Sequence, residues 1–232
     1  MTSLIQNLAR LAQQTFSKQV NEESLNRLRN LASNLTARDV DFKGDLLEDQ
    51  KNCGLKGPTV HVDICEDDFH SISIFGIREG KKIPLHDHPD MYGLIKVIRG
   101  AIKIKSFTQL SVKEISTTPK EITSKVSWRQ RHLLIPTVMT GEKIVTQSNE
   151  SCLLYPNENN IHEITSIEGL SAFVDILSPP YQDGERDCHF YTVLGTAFDP
   201  KLNVNVTWLL QIDSPSSYWC DTIPYSGPPV RL

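Results

Sequence analysis

Residues 80–100 read GKKIPLHDHPDMYGLIKVIRG, and the two histidines in this stretch, His86 and His88, decide how the chain is interpreted. If the stretch is extended, side chains two positions apart point to the same face, so both imidazoles can hold one metal ion. The alternative is that both are surface histidines in a turn-rich loop. The pair alone does not decide between the two, so the choice depends on the surrounding sequence.

A third histidine, His162, lies in residues 160–164, NIHEI, which alternate as a strand does. Two ligands on one strand and a third on a later strand can form a metal site in the mouth of a β-barrel. The sequence therefore predicts a metal site of His86, His88 and His162.

Glycines flank the histidine pair, because Gly80 lies six positions before His86 and Gly100 lies twelve after His88. This spacing resembles the first motif of the cupin superfamily. The motif also has a glutamate ligand at the position where this chain has Gly93.

The second cupin motif has a histidine after a proline-containing turn, and Pro156 to His162 is similar to it. The resemblance implies a mainly β fold, a cupin-type antiparallel β-barrel (double-stranded β-helix or jelly roll) with N-terminal helices. It also implies a metal site of three imidazoles without a carboxylate.

That set of ligands has a chemical consequence. A facial set of three ligands with open positions is typical of non-haem Fe(II) oxygen chemistry. Neutral imidazoles leave the metal its full charge, which favours an anionic ligand such as a thiolate. We therefore expect Fe(II), a thiol substrate and O2. Two alternatives stay open: a cupin isomerase that uses Mn, Ni or Zn, and a cupin that binds a ligand without turnover.

Three blocks carry a closer resemblance: residues 83–89 (IPLHDHP), 175–181 (DILSPPY) and 186–191 (RDCHFY). They resemble the cupin thiol dioxygenases, the family that includes animal cysteamine dioxygenases and plant cysteine oxidases. The resemblance covers roughly residues 40–230. It implies conversion of a thiol to a sulfinate, the thiol being cysteamine or the N-terminal cysteine of a peptide or protein.

The resemblance also implies catalytic roles for Asp175, Tyr181 and Cys188. Asp175 would hold a substrate ammonium, and its alternative is a structural ion pair or turn cap. Tyr181 would place a hydroxyl at the pocket mouth, and its alternative is an aromatic lid. Some animal members link the cysteine to a tyrosine two residues later. Phe190 has no phenol for that link, and Tyr191 should point to the opposite face of a strand.

The composition limits the class of protein. A chain of 232 residues with a net charge of −4 is not expected to bind nucleic acid or a membrane surface. No apolar run approaches the roughly eighteen residues that a membrane span needs. Five cysteines without a pattern indicate reduced thiols in an intracellular protein. We expect a cytoplasmic monomer.

The N-terminal region is helical by pattern. The first twenty residues have apolar side chains at helical spacing and no acidic residue, which predicts a helix packed on the barrel or, as the alternative, a mitochondrial presequence. A second helix is predicted over Glu22 to Leu35, with Asn21 as its N-cap. We therefore divide the chain into a helical extension, residues 1–40, and a cupin thiol dioxygenase domain, residues 41–232.

From about Val60 the pattern alternates with the period of a strand. Ten strands are predicted: 60–64, 72–75, 94–98, 101–107, 112–115, 144–146, 152–155, 161–165, 172–177 and 190–193. Gly100 is assigned to a tight turn and Asp90 to a left-handed turn position. Residues 117–141 lack a period and are interpreted as a variable excursion. His132 should be exposed there, and His61 and His70 should be structural.

Overall fold

The computed structural model describes residues 2–44 and 54–232. Cys53, one of the five expected thiols, lies outside the described residues. The other four cysteines, Cys65, Cys152, Cys188 and Cys220, are free thiols, as expected.

Helix α1 spans Leu4–Phe16, and the side chain of its N-cap, Ser3, accepts a hydrogen bond from the Gln6 amide. Its apolar face is fully buried: Ile5, Leu8, Ala9 and Ala12. These side chains share a core cluster with strand residues of the sheet. The first twenty residues therefore contain a helix that packs on the barrel, as the first interpretation expects.

Helix α2 spans Glu22–Ala32, and Asn21 is its N-cap, with a reciprocal bond between Asn21 and Ser24. The predicted end at Leu35 is three residues too late. Leu35 is nevertheless buried in the same cluster. The helical spacing of apolar residues in the sequence therefore extends beyond the residue at which the helix ends. The division of the chain near residue 40 stays a prediction. None of the described helices has both the length and the apolar character of a membrane span.

Ten strands follow among the described residues, and the two longest have 18 residues each. Their bounds are β1 Thr59–Glu66, β2 Ser71–Ile77, β3 Lys82–Asp87, β4 Tyr92–Gln109, β5 Leu134–Thr146, β6 Cys152–Leu154, β7 Ile161–Ser178, β8 Phe190–Asp199, β9 Val204–Ile212 and β10 Cys220–Thr222. A short helix α3, Lys120–Thr123, and a 3-10 helix, Trp128–Leu133, lie between β4 and β5.

The strands close into a barrel. The order β7-β3-β8-β9-β5-β4 forms a ring, because β4 also pairs with β7. Strands β1, β2, β6 and β10 extend the ring, and each pairing is antiparallel except that of β1 with β10. The predicted fold, a cupin-type antiparallel barrel with N-terminal helices, is confirmed. A cluster of buried side chains fills the inside of the barrel, including Ile83, Ile95 and Phe173.

Several strand predictions were wrong. Residues 112–115 form a turn in which Ser111 and Glu114 bond to each other, and Val112 is exposed. Strand β5 begins at Leu134, inside the supposed excursion, and β3, β9 and β10 are absent from the ten predicted strands. Gly100 is not in a tight turn. It lies within β4 at a register shift with φ +66°, where a Cβ would come within 2.6 Å of the Leu170 carbonyl oxygen.

Candidate metal centre

Three histidine side chains converge inside the barrel. His86 lies on β3 and pairs in register with His162 on β7, and His88 directly follows the end of β3. All three are buried, and their ligand nitrogens lie within 4.8 Å of one another. The Nε2 atoms of His88 and His162 are 3.1 Å apart. The structure thus brings the three predicted ligands together, and residues 2–44 and 54–232 contain no second cluster of this kind.

Hydrogen bonds orient two of the rings. Nδ1 of His86 lies 2.8 Å from the carbonyl oxygen of Pro84, so this nitrogen carries the proton and donates. The hydroxyl of Tyr181 donates to the carbonyl oxygen of Asp87 at 2.6 Å, and it lies 2.7 Å from Nδ1 of His88. Since its proton is already donated, the hydroxyl oxygen accepts from Nδ1–H of His88. In both rings Nε2 is left as the lone pair that a metal needs.

The surroundings keep the imidazoles neutral. Burial lowers the pKa of His86, and this outweighs the opposing effect of its hydrogen bond to Pro84. Burial lowers the pKa of His88 and of His162 well below the usual value, and a neighbouring histidine of the cluster lowers each further. The neutral form is the one that binds metal.

No carboxylate joins the cluster from the position that Gly93 occupies. A Cβ at Gly93 would lie 2.6 Å from Cδ1 of Leu154, so a glutamate there would require Leu154 to move. The space is filled by a leucine side chain. The donors that remain are three imidazole nitrogens, which suit Fe, Zn, Cu or Ni.

A small cavity of about 100 Å³ adjoins the three histidines, and its walls are mostly apolar. All three predicted catalytic residues line it. The lining consists of Phe75, Ile83, His86, His88, His162, Ile164, Phe173, Asp175, Leu177, Tyr181, Cys188, Phe190 and Tyr218.

Asp175 is a buried carboxylate in the wall of this cavity. It lies within β7, paired with Ser73 of β2 and Ile95 of β4. Burial raises its pKa to about 7, and a bond from the Ile176 amide opposes this. No described lysine or arginine forms an ion pair with Asp175. Neither a turn cap nor a structural ion pair therefore accounts for this carboxylate.

Tyr181 and Cys188 lie together at one side of the cavity. Burial raises the pKa of Tyr181 well above its usual value, and the Cys188 thiol beside it raises the pKa further. Cys188 is exposed, which places it at an edge of the cavity. The Tyr181 hydroxyl contacts the His88 ring. The sequence predicted a hydroxyl at the pocket mouth but did not predict this contact with a metal ligand.

Phe190 and Tyr191 point to opposite faces of β8, as expected. The Phe190 ring lines the cavity with its centroid 6.4 Å from that of His86. Tyr191 is buried in a separate cluster behind β3, and its hydroxyl donates to Oδ2 of Asp87 at 2.7 Å.

Three other histidines, His61, His70 and His132, lie away from the cluster. His132 is exposed in the 3-10 helix, as predicted. His61 lies on β1 with its ring centroid 4.8 Å from that of Phe75 at an interplanar angle of 42°, and His70 is fully buried with Nδ1 2.9 Å from Oδ1 of Asp67. Both belong to the structural class that we expected for them.

Two residues near the site were not singled out by the sequence. Asp87 lies between the two ligands of the motif, and strand alternation predicts only that it faces away from them. Tyr218 comes from the segment after β9, and its ring centroid lies 5.8 Å from that of Phe190. No local pattern marks Tyr218, because it reaches the cavity only through the tertiary fold.

Known proteins resemble this chain over most of its length. The PCO_ADO family model matches residues 25–230. The 2-aminoethanethiol dioxygenase of Homo sapiens is 31% identical over 220 residues, covering 90% of this chain and 82% of that protein. The enzyme of the same name from Mus musculus is 32% identical over 253 aligned positions, covering 99% and 97%. Plant cysteine oxidase 1 of Arabidopsis thaliana is 24% identical over 176 residues, covering 73% and 55%. With a family model that spans most of the chain and two relatives above 30% identity, this protein belongs to the PCO_ADO family.

Proposed function

We propose that this protein is a non-haem iron dioxygenase that converts an aminothiol to a sulfinate. The observation that supports this most is the combination in one small cavity of three neutral imidazoles and one buried carboxylate, Asp175. The relatives are named as a dioxygenase of 2-aminoethanethiol and an oxidase of cysteine. The overall reaction adds both atoms of O2 to the sulfur of a thiol, RSH + O2 → RSO2H, and needs no further reductant.

Fe(II) would be held by His86, His88 and His162. When bound there, it supplies the open positions and the redox chemistry through which a thiol and O2 react. The chain supplies the geometry and the charge around it. The bonds from His86 to Pro84 and from His88 to Tyr181 fix two of the rings with Nε2 facing inward.

Asp175 would bind the substrate ammonium. A carboxylate with a pKa of about 7 is only partly ionised at neutral pH. A cation beside it favours the ionised form, so ammonium binding and ionisation support each other. The apolar walls strengthen this attraction, because charges interact more strongly where water is excluded.

The lining of the cavity also indicates which thiols are accepted. Among the described residues that line it, none is a lysine or arginine that could pair with a free α-carboxylate. Cysteamine has no carboxylate, and the first residue of a peptide has its carboxyl group in an amide bond. Both present an ammonium two carbons from the sulfur. The exposed edge at Cys188 gives a peptide a path out of the cavity.

We also propose that the protein acts as a monomer in the cytoplasm and keeps helix α1. Removal of the first twenty residues as a presequence would uncover the core cluster that Ile5, Leu8 and Ala12 complete. The Gln6 side chain also bonds the main chain of Arg231 through both its amide atoms. Sedimentation tests the monomer, cell fractionation tests the compartment, and N-terminal sequencing of the native protein tests whether helix α1 is kept.

An oxygen-consumption assay with a panel of metals and thiols tests the function. The Fe(II)-loaded protein should consume one O2 for each cysteamine or Cys-initiated peptide and should oxidise free cysteine much more slowly. The matched control is the same peptide with N-terminal serine, which should consume none. Activity with Mn, Ni or Zn and without O2 uptake would favour the isomerase, and metal binding without turnover would favour a ligand-binding cupin. A preference for free cysteine, which carries the same ammonium, would contradict the inference that the cavity offers no cationic partner to a free α-carboxylate.

A further inference from the structure

Asp87 is a buried carboxylate on the face of β3 opposite the metal ligands. Three donors converge on it. The main-chain amide of His189 donates to Oδ1 at 2.8 Å, and the Tyr191 hydroxyl donates to Oδ2 at 2.7 Å. Nδ1 of the His189 ring lies 3.2 Å from the same Oδ2. A bond from the Asp87 amide to the His189 carbonyl oxygen at 3.2 Å completes the contact.

These bonds join the beginning of β8 to the metal-binding strand. The pairing between β3 and β8 is otherwise short, with His86 opposite Phe190 as its register pair. The residues on either side of His189 are Cys188 and Phe190, and both line the cavity. The Asp87 carboxylate therefore holds a segment that contributes two side chains to the wall of the site.

The main chain of Asp87 has a separate connection. Its carbonyl oxygen accepts from the Tyr181 hydroxyl, which in turn accepts from the His88 ring. The side chain of Asp87 thus bonds to the segment that carries Cys188 and Phe190, whereas its main-chain carbonyl is linked to the metal ligand His88 through the Tyr181 hydroxyl. A side-chain substitution removes the first connection and leaves the second in place.

We propose that Asp87 is a positioning residue whose carboxylate fixes the cavity wall at Cys188 and Phe190 and thereby sets the affinity for the aminothiol. This rests on the proposed function for the identity of the substrate. Charge-assisted hydrogen bonds are about twice as strong as neutral ones, and a carboxylate accepts at both oxygens. An amide at this position accepts at one oxygen and presents N–H to the other donors. The segment then has to rearrange around it.

The first test compares Asp87→Asn with Tyr181→Phe. Asp87→Asn should raise the KM for cysteamine roughly ten-fold while the affinity for the metal stays unchanged. Tyr181→Phe should lower the affinity for the metal, because it removes the bond to His88. Tyr191→Phe removes one of the donors to Asp87 and should also raise KM, by a smaller factor than Asp87→Asn does. In the double variant Asp87→Asn/Tyr191→Phe, the change in the free energy of substrate binding should be smaller than the sum of the changes in the two single variants. Each single substitution already affects the one hydrogen bond between these side chains.

A second measurement does not depend on turnover. Alkylation of Cys188 in the metal-free protein, followed at the level of its peptide by mass spectrometry, reports how firmly the wall is held. Hydrogen exchange of the His189 amide reports the bond to Asp87 directly. Both rates should increase in Asp87→Asn and, to a smaller extent, in Tyr191→Phe.

Asp199→Asn is the matched control. Asp199 is another buried carboxylate and lies at the far end of β8, the strand whose beginning Asp87 contacts, where it accepts from Ser116, Lys201 and Leu202. Its replacement should reduce stability without changing KM, Cys188 alkylation or His189 exchange.

Two results would overturn the role of Asp87. One is a metal affinity that falls in Asp87→Asn as far as in Tyr181→Phe, with KM unchanged. The other is equal rates of Cys188 alkylation and His189 exchange in the metal-free wild type, Asp87→Asn and Tyr191→Phe. If the wild type oxidises no thiol, the proposed function fails, and the two rates still decide whether Asp87 holds the wall.

Discussion

The Tyr181 hydroxyl lies 2.7 Å from Nδ1 of His88 and holds that ring in the tautomer that leaves Nε2 free for a metal. The hydroxyl can do this because its own proton is donated to the Asp87 carbonyl oxygen. Tyr181, which the sequence predicted at the pocket mouth, therefore orients the metal-binding ring of His88. Bonds of this kind to a metal-binding histidine are typically worth a factor of ten to a hundred in metal affinity or activity.

Tyr181→Phe should lower the affinity for Fe(II) by about 10- to 100-fold, because Nδ1–H of His88 loses its acceptor. Competition with a chelator under anaerobic conditions measures this. Tyr218→Phe is the control, since it removes a hydroxyl from the same cavity wall without a bond to a metal ligand. Equal affinities of wild type and Tyr181→Phe would contradict the role of the hydroxyl.

His162→Ala should abolish stoichiometric iron binding and turnover, because one of three ligands is lost. The circular dichroism spectrum should stay that of the wild type, since the barrel does not depend on the imidazole. His132→Ala removes an exposed histidine outside the cluster and should bind iron as the wild type does. Full activity of His162→Ala would exclude His162 as a ligand.

Asp175→Asn should impair catalysis far more than it impairs iron binding. The amide keeps the size of the side chain and loses the charge that would pair with the substrate ammonium. The expected result is a normal iron content with a kcat/KM for cysteamine lowered by about 100-fold or more, since a hydrogen bond to a charged group is worth roughly 1.5–3 kcal/mol and burial increases the loss. Unchanged kinetics would contradict a role of Asp175 in binding the substrate.

The raised pKa of Asp175 also predicts a pH dependence of stability. The folded protein binds this proton more tightly than the unfolded chain does, so the stabilising contribution is present at low pH. It is lost as pH rises from 3.8 to about 7. Metal-free Asp175→Asn should therefore be more stable than wild type at pH 8, by at most about 4 kcal/mol, with the difference shrinking towards pH 5.

Urea unfolding of the two metal-free proteins at each pH measures that difference. The titration of the three histidines is common to both proteins and cancels in the comparison. A difference that is constant between pH 5 and pH 8, or that grows as pH falls, would show that Asp175 has no raised pKa in the folded state.

The ligands could be predicted because local sequence determines them. His86 and His88 lie two positions apart in an extended run, and His162 lies in another such run. The left-handed turn at Asp90 was also predictable, and its φ is 58°. The glycine at position 100 correctly indicated an unusual backbone conformation. A register shift inside a long strand and a tight turn both favour glycine, so the sequence does not distinguish them.

The missed strands lacked the pattern on which strand prediction relies. In β9, Trp208 and Leu209 are adjacent and buried in different clusters, so both faces are apolar and the alternation disappears. In β5, Pro136 interrupts the run and argues against a strand, although it pairs with Trp208. The contact between Asp87 and Tyr191 joins residues 104 positions apart, and no local pattern specifies it.

Mass spectrometry of the product formed under ¹⁸O2 tests the central claim most directly. Iron-loaded protein, cysteamine and labelled oxygen should give the sulfinate with both oxygen atoms labelled, and His162→Ala should give none. A sulfinate with one labelled atom, or a disulfide as the main product, would contradict the proposal that this protein transfers both atoms of O2 to sulfur.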